Sequence, residues 1–195
     1  MDGRRAQVER RTAETTVTVE LRLDGGGQAE VRTGIGFLDH LLTALVRHAR
    51  FDLTLRCDGD LHVDDHHTAE DTALALGQAL DRALGDRRGI ARFGWALTPL
   101  DEALARVAVD LSGRPYADVH LGLTRGALGT LSAENVPHVL RSFATAARLT
   151  LHADVLKGDN DHHRAEAAFK AVALALRQAV VASGFDDVPS TKETL

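Results

Sequence analysis

The stretch Asp64-Asp65-His66-His67-Thr68-Ala69-Glu70 has a close counterpart in Asn160-Asp161-His162-His163-Arg164-Ala165-Glu166. The pattern His-His-x-x-Glu therefore occurs twice, about 96 residues apart, in a chain of 195 residues. The similarity continues downstream, where Leu76-Gly77-Gln78-Ala79-Leu80 resembles Leu176-Arg177-Gln178-Ala179-Val180. A repeat of about half the chain length predicts two matched half-domains that carry matching sites.

Both halves have the same predicted order of elements, βββαβα. In the first half we predict strands at 7–12, 15–23, 28–33 and 51–57, and helices at 37–49 and 65–84. In the second half we predict strands at 91–97, 103–111, 115–122 and 149–156, and helices at 134–148 and 161–182. The residues from Thr16 to Leu23 alternate between polar and apolar with period two, as expected of a half-buried strand.

The expected fold is α+β, with duplicated βββαβα half-domains that pack as a sandwich. Each half-domain would be a four-stranded sheet with its helices on one face. The first repeat is assigned to residues 1–88 and the second to 89–183. Residues 184–195 form a polar C-terminal tail.

The geometry of a helix makes each His-His-x-x-Glu segment a candidate metal half-site. His66 and Glu70 are i and i+4, as are His162 and Glu166, so each pair lies on one face and can chelate one ion. The second histidine of each segment is rotated by about 100° and cannot comfortably reach that ion. Adjacent histidines therefore favour two metals, or one metal for each neighbouring half-site.

A further histidine precedes each segment at a similar spacing, His40 before the first and His138 before the second. His48 follows His40 by two helical turns and is predicted to approach the site. Mixed imidazole and carboxylate ligands suit Zn, Fe, Ni or Mn better than Ca, and ligand type alone leaves that choice open. The complete candidate ligand set is His40, His66, His67, Glu70, His138, His162, His163 and Glu166.

Composition excludes several classes of protein. The net charge of −5 and an isoelectric point near 6.0 argue against a nucleic-acid partner. Apolar runs long enough for a membrane span do not occur, and the polar N-terminus is not typical of a signal peptide. Cys57 is the only cysteine, which excludes a disulfide framework and favours a cytoplasmic location.

Four motifs together resemble the imidazoleglycerol-phosphate dehydratase family. They are Gly34-Ile35-Gly36-Phe37-Leu38-Asp39-His40, Asp64 to Asp71, Asp110-Leu111-Ser112-Gly113-Arg114-Pro115, and Asn160 to Glu166. The resemblance runs from Arg11-Thr12-Ala13-Glu14-Thr15 to Ser190-Thr191-Lys192. It implies conversion of D-erythro-imidazole glycerol phosphate to imidazole acetol phosphate and water, in histidine biosynthesis. It also implies two Mn²⁺ per active site and a homo-oligomer of 24 subunits with active sites at subunit interfaces.

The chemistry of this substrate explains the need for metals. The proton to be removed has no neighbouring carbonyl, so ordinary enolisation is excluded. We hypothesise that two metals bind the two ring nitrogens and stabilise an imidazolate. The ring then expels the neighbouring hydroxyl, which gives a diazafulvene-like intermediate and, after proton loss, an enol. A different dinuclear metallohydrolase and a non-catalytic metal-storage or assembly protein are the alternative classes.

The resemblance also assigns roles to single residues. Glu14 is the foremost candidate for acid/base catalysis, with His48, Glu166 and a metal-bound water as weaker ones. The tail is expected to order over the substrate phosphate, which arginine binds as a fork and lysine as a point charge. Two departures from the family pattern are Pro137 beside His138 and Glu193 after Lys192. The substrate-binding set is Glu14, His40, Arg92, Arg114, Lys170, Ser190 and Lys192.

Overall fold

A computed structural model describes residues 3–192 of the chain. Its first half contains β1 (Arg5–Arg11), β2 (Thr15–Arg22), β3 (Ala29–Arg32), α1 (Gly36–Ala49), β4 (Asp52–Gly59) and α2 (His66–Leu84). Its second half contains β5 (Phe93–Leu100), β6 (Ala103–Asp110), β7 (Tyr116–His120), β8 (Ala127–Leu128), β9 (Leu131–Ser132), α3 (Asn135–Ala146), β10 (Thr150–Lys157) and α4 (Asp161–Ala179).

The two halves form four-stranded sheets of identical topology. Strand order is β1-β2-β4-β3 in the first sheet and β5-β6-β10-β7 in the second. In each sheet the fourth strand pairs antiparallel with the second and parallel with the third. The prediction of an α+β fold made of duplicated half-domains is thereby confirmed.

The helices lie on one face of each sheet and meet in the middle of the molecule. In β2, Val17, Val19 and Leu21 are buried beneath α2 while the alternate residues face outward. Across the middle, α1 packs against α4 and α2 packs against α3. Each helix of the first half therefore contacts a helix of the second half, and this pairing determines which side chains meet.

The halves differ most between the third strand and the following helix. Residues 33–35 make this connection in the first half, whereas residues 121–134 make it in the second and include the β8–β9 hairpin. The sequence analysis did not predict this hairpin. Helix α4 also ends at Ala179, earlier than predicted, and β5 begins at Phe93 because Arg92 has a φ of 69°.

Within residues 3–192, no helix is both long enough and apolar enough to span a lipid bilayer.

Candidate metal and substrate site

One cluster of ligand-type side chains joins α1 to α4. The ligand atoms of His40, His162 and Glu166 all lie within 4.8 Å of one another. Glu166 Oε2 is 3.1 Å from His40 Nε2 and 3.2 Å from His162 Nε2. His40 comes from the first half and the other two from the second, because α1 packs on α4.

A second, matching cluster joins α2 to α3. His66, Glu70 and His138 also place their ligand atoms within 4.8 Å of one another. His138 Nε2 lies 3.2 Å from Glu70 Oε1, and the rings of His66 and His138 stack with centroids 4.8 Å apart. His66 Nδ1 is 3.0 Å from the Asn135 Oδ1, so a proton on Nδ1 leaves Nε2 as the free ligand atom.

Both clusters have a donor set that fits a divalent first-row metal ion. Each offers two imidazole nitrogens and one carboxylate oxygen, a combination that suits Zn, Fe or Mn and leaves coordination positions open for other ligands. The residues that would hold the two ions are His40, His162 and Glu166 in one cluster, and His66, Glu70 and His138 in the other.

The second histidine of each pair lies outside both clusters. His67 Nδ1 is 3.0 Å from Asp60 Oδ2, and its Nε2 is 3.6 Å from Glu14 Oε1. His163 Nδ1 is 2.7 Å from Glu102 Oε2. These hydrogen bonds raise the pKa of both histidines, and the bond from His163 lowers the pKa of Glu102 to about 2. A carboxylate at Nδ1 is the usual partner of a metal-binding histidine that coordinates through Nε2.

The electrostatics of the first cluster keep Glu166 ionised. Burial acts to raise its pKa, but hydrogen bonds from Lys170 and His40 outweigh burial and lower the pKa to about 2. Lys170 Nζ lies 2.8 Å from Glu166 Oε1. His48 also belongs to this region, since burial and the positive charge of Lys170 lower its pKa. Glu166 is thus in the form that a metal ligand requires.

A cationic pocket lies at the other end of α4. Arg92 and Arg114 line it together with the tail residues Asp187 to Lys192, which include Ser190. Arg92 donates to both carboxylate oxygens of Asp110, at 2.7 and 3.0 Å, and to the Pro189 carbonyl at 2.6 Å. Four members of the predicted substrate-binding set are therefore together: Arg92, Arg114, Ser190 and Lys192.

Lys170, the remaining cation of the substrate-binding set, is paired with Glu166 and does not line this pocket. Glu193, noted as a departure from the family pattern, lies outside the described residues.

Comparison with known proteins identifies the family. The family model described as imidazoleglycerol-phosphate dehydratase matches residues 33–176. The chain belongs to this family. Imidazoleglycerol-phosphate dehydratases are hydro-lyases of histidine biosynthesis, and the chain is an enzyme of that class.

Relatives and solved structures agree with this assignment. The chain is 54% identical to the imidazoleglycerol-phosphate dehydratase of Eremothecium gossypii, over 100% of this chain and 99% of that protein. It is 58% identical to that of Phytophthora nicotianae over 98% of this chain, although it spans only 42% of that longer protein.

Among solved structures, the dehydratase from Staphylococcus aureus has a TM-score of 0.80 and 35% identity, and the match covers 91% of this chain and 99% of that one. The dehydratase from Pyrococcus furiosus, solved in complex with (S)-C348, has a TM-score of 0.83 and 36% identity, and covers 96% and 100%.

Sequence reasoning missed the residues that hold the histidines in place. Asp60, Glu102 and Asn135 each contact a ring nitrogen of a candidate ligand. Asp60 follows β4, whereas Glu102 lies in the β5–β6 turn, so these two partners do not occupy equivalent positions in the repeats. Because the repeat was the signal that revealed the histidines, residues outside it could not be found in the same way.

Proposed function

We propose that the chain dehydrates D-erythro-imidazole glycerol phosphate to imidazole acetol phosphate and water, with two Mn²⁺ at each active site. The observation that carries this proposal is the pair of matched clusters, each with two histidines and one glutamate. A substrate imidazole has two nitrogens, and two equivalent metal sites suit one ion at each. Family membership supports the reaction itself.

The proposed chemistry depends on charge in the substrate ring. Two divalent cations, when bound, would supply Lewis acidity that favours the anionic imidazole. Electron density from that ring expels the hydroxyl on the adjacent carbon, which leaves as water after taking a proton. Loss of a proton from the next carbon of the diazafulvene-like species then gives an enol, which tautomerises to the ketone.

Glu14 is the proposed proton carrier. It lies in the turn between β1 and β2, is half exposed, and places Oε1 3.6 Å from His67 Nε2. A carboxylate beside a candidate metal ligand can reach a substrate bound at that metal. Glu166 is a weaker candidate, because a pKa of about 2 leaves it without a proton to give. His48, with its lowered pKa, remains a second candidate base.

The cationic pocket of Arg92, Arg114, Ser190 and Lys192 is the proposed phosphate site. Two guanidinium groups and an ammonium provide strong charge-assisted hydrogen bonds to phosphate oxygens. Asp110 offsets part of the Arg92 charge, and its two hydrogen bonds fix the orientation of the guanidinium. Val188 and Pro189 belong to the pocket wall, which supports a tail that covers the bound phosphate.

The distance from the cluster of His40, His162 and Glu166 to the cationic pocket supports an active site shared by two chains. Arg92 N donates to Ala179 O at the C-terminal end of α4, while Glu166 lies near its beginning. Ala179 follows Glu166 by thirteen helical steps of about 1.5 Å, which is about 20 Å along α4. The substrate spans less than about 10 Å between ring and phosphate, given bonds of about 1.5 Å. We therefore propose a homo-oligomer, of 24 subunits by family resemblance, with active sites at subunit interfaces.

Metal removal and replacement tests the proposal. Purified protein is stripped with a chelator, dialysed, and assayed for imidazole acetol phosphate with and without added Mn²⁺. We expect product only after Mn²⁺ is restored, and little from an Arg114→Ala variant treated in the same way. Inorganic phosphate is measured in parallel, because a metallohydrolase would release it. Metal-loaded, assembled protein that forms no imidazole acetol phosphate would contradict the proposal.

The cytoplasmic location stays a prediction, founded on the single cysteine of the chain.

A further inference from the structure

The Asx-Asp dipeptides that precede the two His-His pairs divide two tasks between their residues. Asp64 accepts a hydrogen bond from the amide of His66, and Asn160, the N-cap of α4, accepts one from the amide of His162, so the first residue of each dipeptide caps the amide of the first histidine. The second residues, Asp65 and Asp161, make no such cap and direct their carboxylates elsewhere.

Both of these carboxylates bind the same segment, residues 121–134, which we name the strap. Asp65 accepts hydrogen bonds from the Ser132 amide at 2.6 Å and from the Ser132 hydroxyl at 2.8 Å. Asp161 accepts from the amides of Thr124 and Arg125, both at 2.7 Å. The two ends of the strap are thus attached to the first turns of α2 and α4.

The middle of the strap is folded and lies close to the cluster of His40, His162 and Glu166, and the end of the strap leads to the cluster of His66, Glu70 and His138. Leu128 and Leu131 of its hairpin are buried in the core. A side chain at Gly129 would contact Phe37, whose ring lies 5.0 Å from that of His162 and 5.9 Å from that of His40. The residue that follows the strap, Asn135, accepts the hydrogen bond from His66.

The strap exists in one half only. The corresponding connection in the first half has three residues and reaches directly from β3 to α1. Asp65 and Asp161 therefore occupy equivalent positions in the two repeats, yet both bind the strap, which is present only in the second repeat. Because Asp65 belongs to the first half and the strap to the second, this attachment links the two halves beside their metal-ligand helices.

We propose that Asp65 and Asp161 are positioning residues: through the strap they fix the first turns of α2 and α4, and so the histidines that begin them. The inference rests on the proposed metal sites, which it extends by naming what holds them in shape. Each carboxylate acts on its own cluster, Asp65 on the cluster of His66, Glu70 and His138, and Asp161 on the cluster of His40, His162 and Glu166.

Burial and charge both strengthen the hydrogen bonds that Asp161 accepts from the strap. Asp161 is only 1% exposed, and its bonds from backbone amides are charge-assisted and short. Replacing it with alanine leaves the Thr124 and Arg125 amides without their partner. The strap would then be released at one end, and the first turn of α4 would lose its lateral support.

The test measures metal binding and strap mobility in Asp65→Ala, Asp161→Ala and the double variant. Metal-free protein is titrated with Co²⁺ and followed by visible absorption and calorimetry. We expect two strong sites per chain in the unmodified protein, and in each single variant one site weakened by about tenfold or more. The double variant should weaken both. Hydrogen exchange of residues 121–134, measured without metal, should accelerate in each variant.

Matched controls separate this role from loss of charge or loss of fold. Asp64→Asn and Asp159→Asn alter neighbouring acidic residues that do not bind the strap, and should keep both Co²⁺ sites. Asp65→Asn and Asp161→Asn retain an acceptor oxygen and should restore much of the affinity. Thermal unfolding checks that each variant is folded.

Two results would overturn the inference: faster strap exchange with both Co²⁺ sites intact, or unchanged strap exchange in both alanine variants. Failure of the unmodified protein to bind Co²⁺ would count instead against the proposed metal sites, and the metal-free exchange measurement would still judge whether the aspartates hold the strap.

Discussion

Single carboxylates determine how the duplicated histidines are presented. Asp60 and Glu102 hold Nδ1 of His67 and His163 from different places in the fold. The Nε2 atom of His67 then lies 3.6 Å from Glu14 Oε1, and that of His163 lies 3.7 Å from Asp101 Oδ2. His67 and His163 have the same sequence context, and each contacts a carboxylate through Nδ1. The two carboxylates, however, come from positions that are not equivalent in the repeats.

Replacing Glu14 with glutamine tests its proposed acid/base role. We expect the turnover number to fall by about 10²- to 10⁴-fold, because glutamine cannot exchange a proton at this position. Mn²⁺ affinity should change little, since Glu14 belongs to neither ligand cluster. Steady-state assays and Mn²⁺ titration measure the two quantities. Glu9→Gln, on the exposed face of β1, is the matched control, and wild-type turnover in Glu14→Gln would refute the role.

At the scale of elements, close approach of helices α2 and α3 brings the two halves together. A Cβ atom at Gly77 would lie 2.5 Å from the carbonyl oxygen of Phe143 and 2.9 Å from the amide nitrogen of Ala147. These neighbours are backbone atoms that cannot move aside as a flexible side chain does. The contact positions α3, and with it His138, against the helix that carries His66 and Glu70.

The variant Gly77→Ala should destabilise the protein by about 1–3 kcal/mol, because the added methyl overpacks this contact. Helix propensity alone predicts the opposite sign, a gain of about 1 kcal/mol. Gly36→Ala is the matched control, since a Cβ there meets no atom within 4 Å. Urea unfolding measures the free energy of unfolding of both variants. A gain in stability from Gly77→Ala would mean that the helices can separate without cost.

The start of β4 supports a prediction about pH. Asp52 accepts hydrogen bonds from the amides of Gln28 and Gly26 and pairs with Arg22, and these contacts, foremost that of Gln28, lower its pKa below 3.8 despite burial. A lowered pKa in the folded state gives stability that is present above 3.8 and is lost as the pH falls through the folded value.

We therefore expect Asp52→Ala to lower the melting temperature of metal-free protein at pH 7. The gap in melting temperature between the variant and the unmodified protein should narrow as the pH falls below 3.8. Loss of these hydrogen bonds corresponds to about 1–3 kcal/mol. Melting curves across this pH range measure the gap. Asp58→Ala, an exposed carboxylate at the other end of β4, is the control. A gap that stays constant with pH would contradict the assigned cause.

For the whole molecule, the separation of the candidate metal cluster of His40, His162 and Glu166 from the cationic pocket predicts complementation between chains. Arg114→Ala and His162→Ala should each be inactive alone. When the two are unfolded and refolded together, random mixing should restore about a quarter of wild-type activity, because some interfaces then combine an intact pocket with an intact cluster. An active site within one chain would give none. Activity of the co-refolded mixture, against each variant refolded alone, measures this.

The sequence by itself determined the fold class and singled out two candidate half-sites. The period-two and helical patterns predicted both sheets and all four long helices, and the repeated His-His-x-x-Glu segments, with the histidine that precedes each of them, singled out the eight candidate ligands. Such features are local, because the i and i+4 side chains of one helix meet whatever the rest of the chain does.

Only the tertiary structure decided which candidate ligands come together. The pairing of α1 with α4 and α2 with α3 places His40 beside Glu166 and His138 beside Glu70, across the boundary between the halves. The strap and its aspartate contacts likewise join residues far apart in the chain. Helix packing and buried hydrogen bonds of this kind depend on the whole core, and no local pattern specifies them.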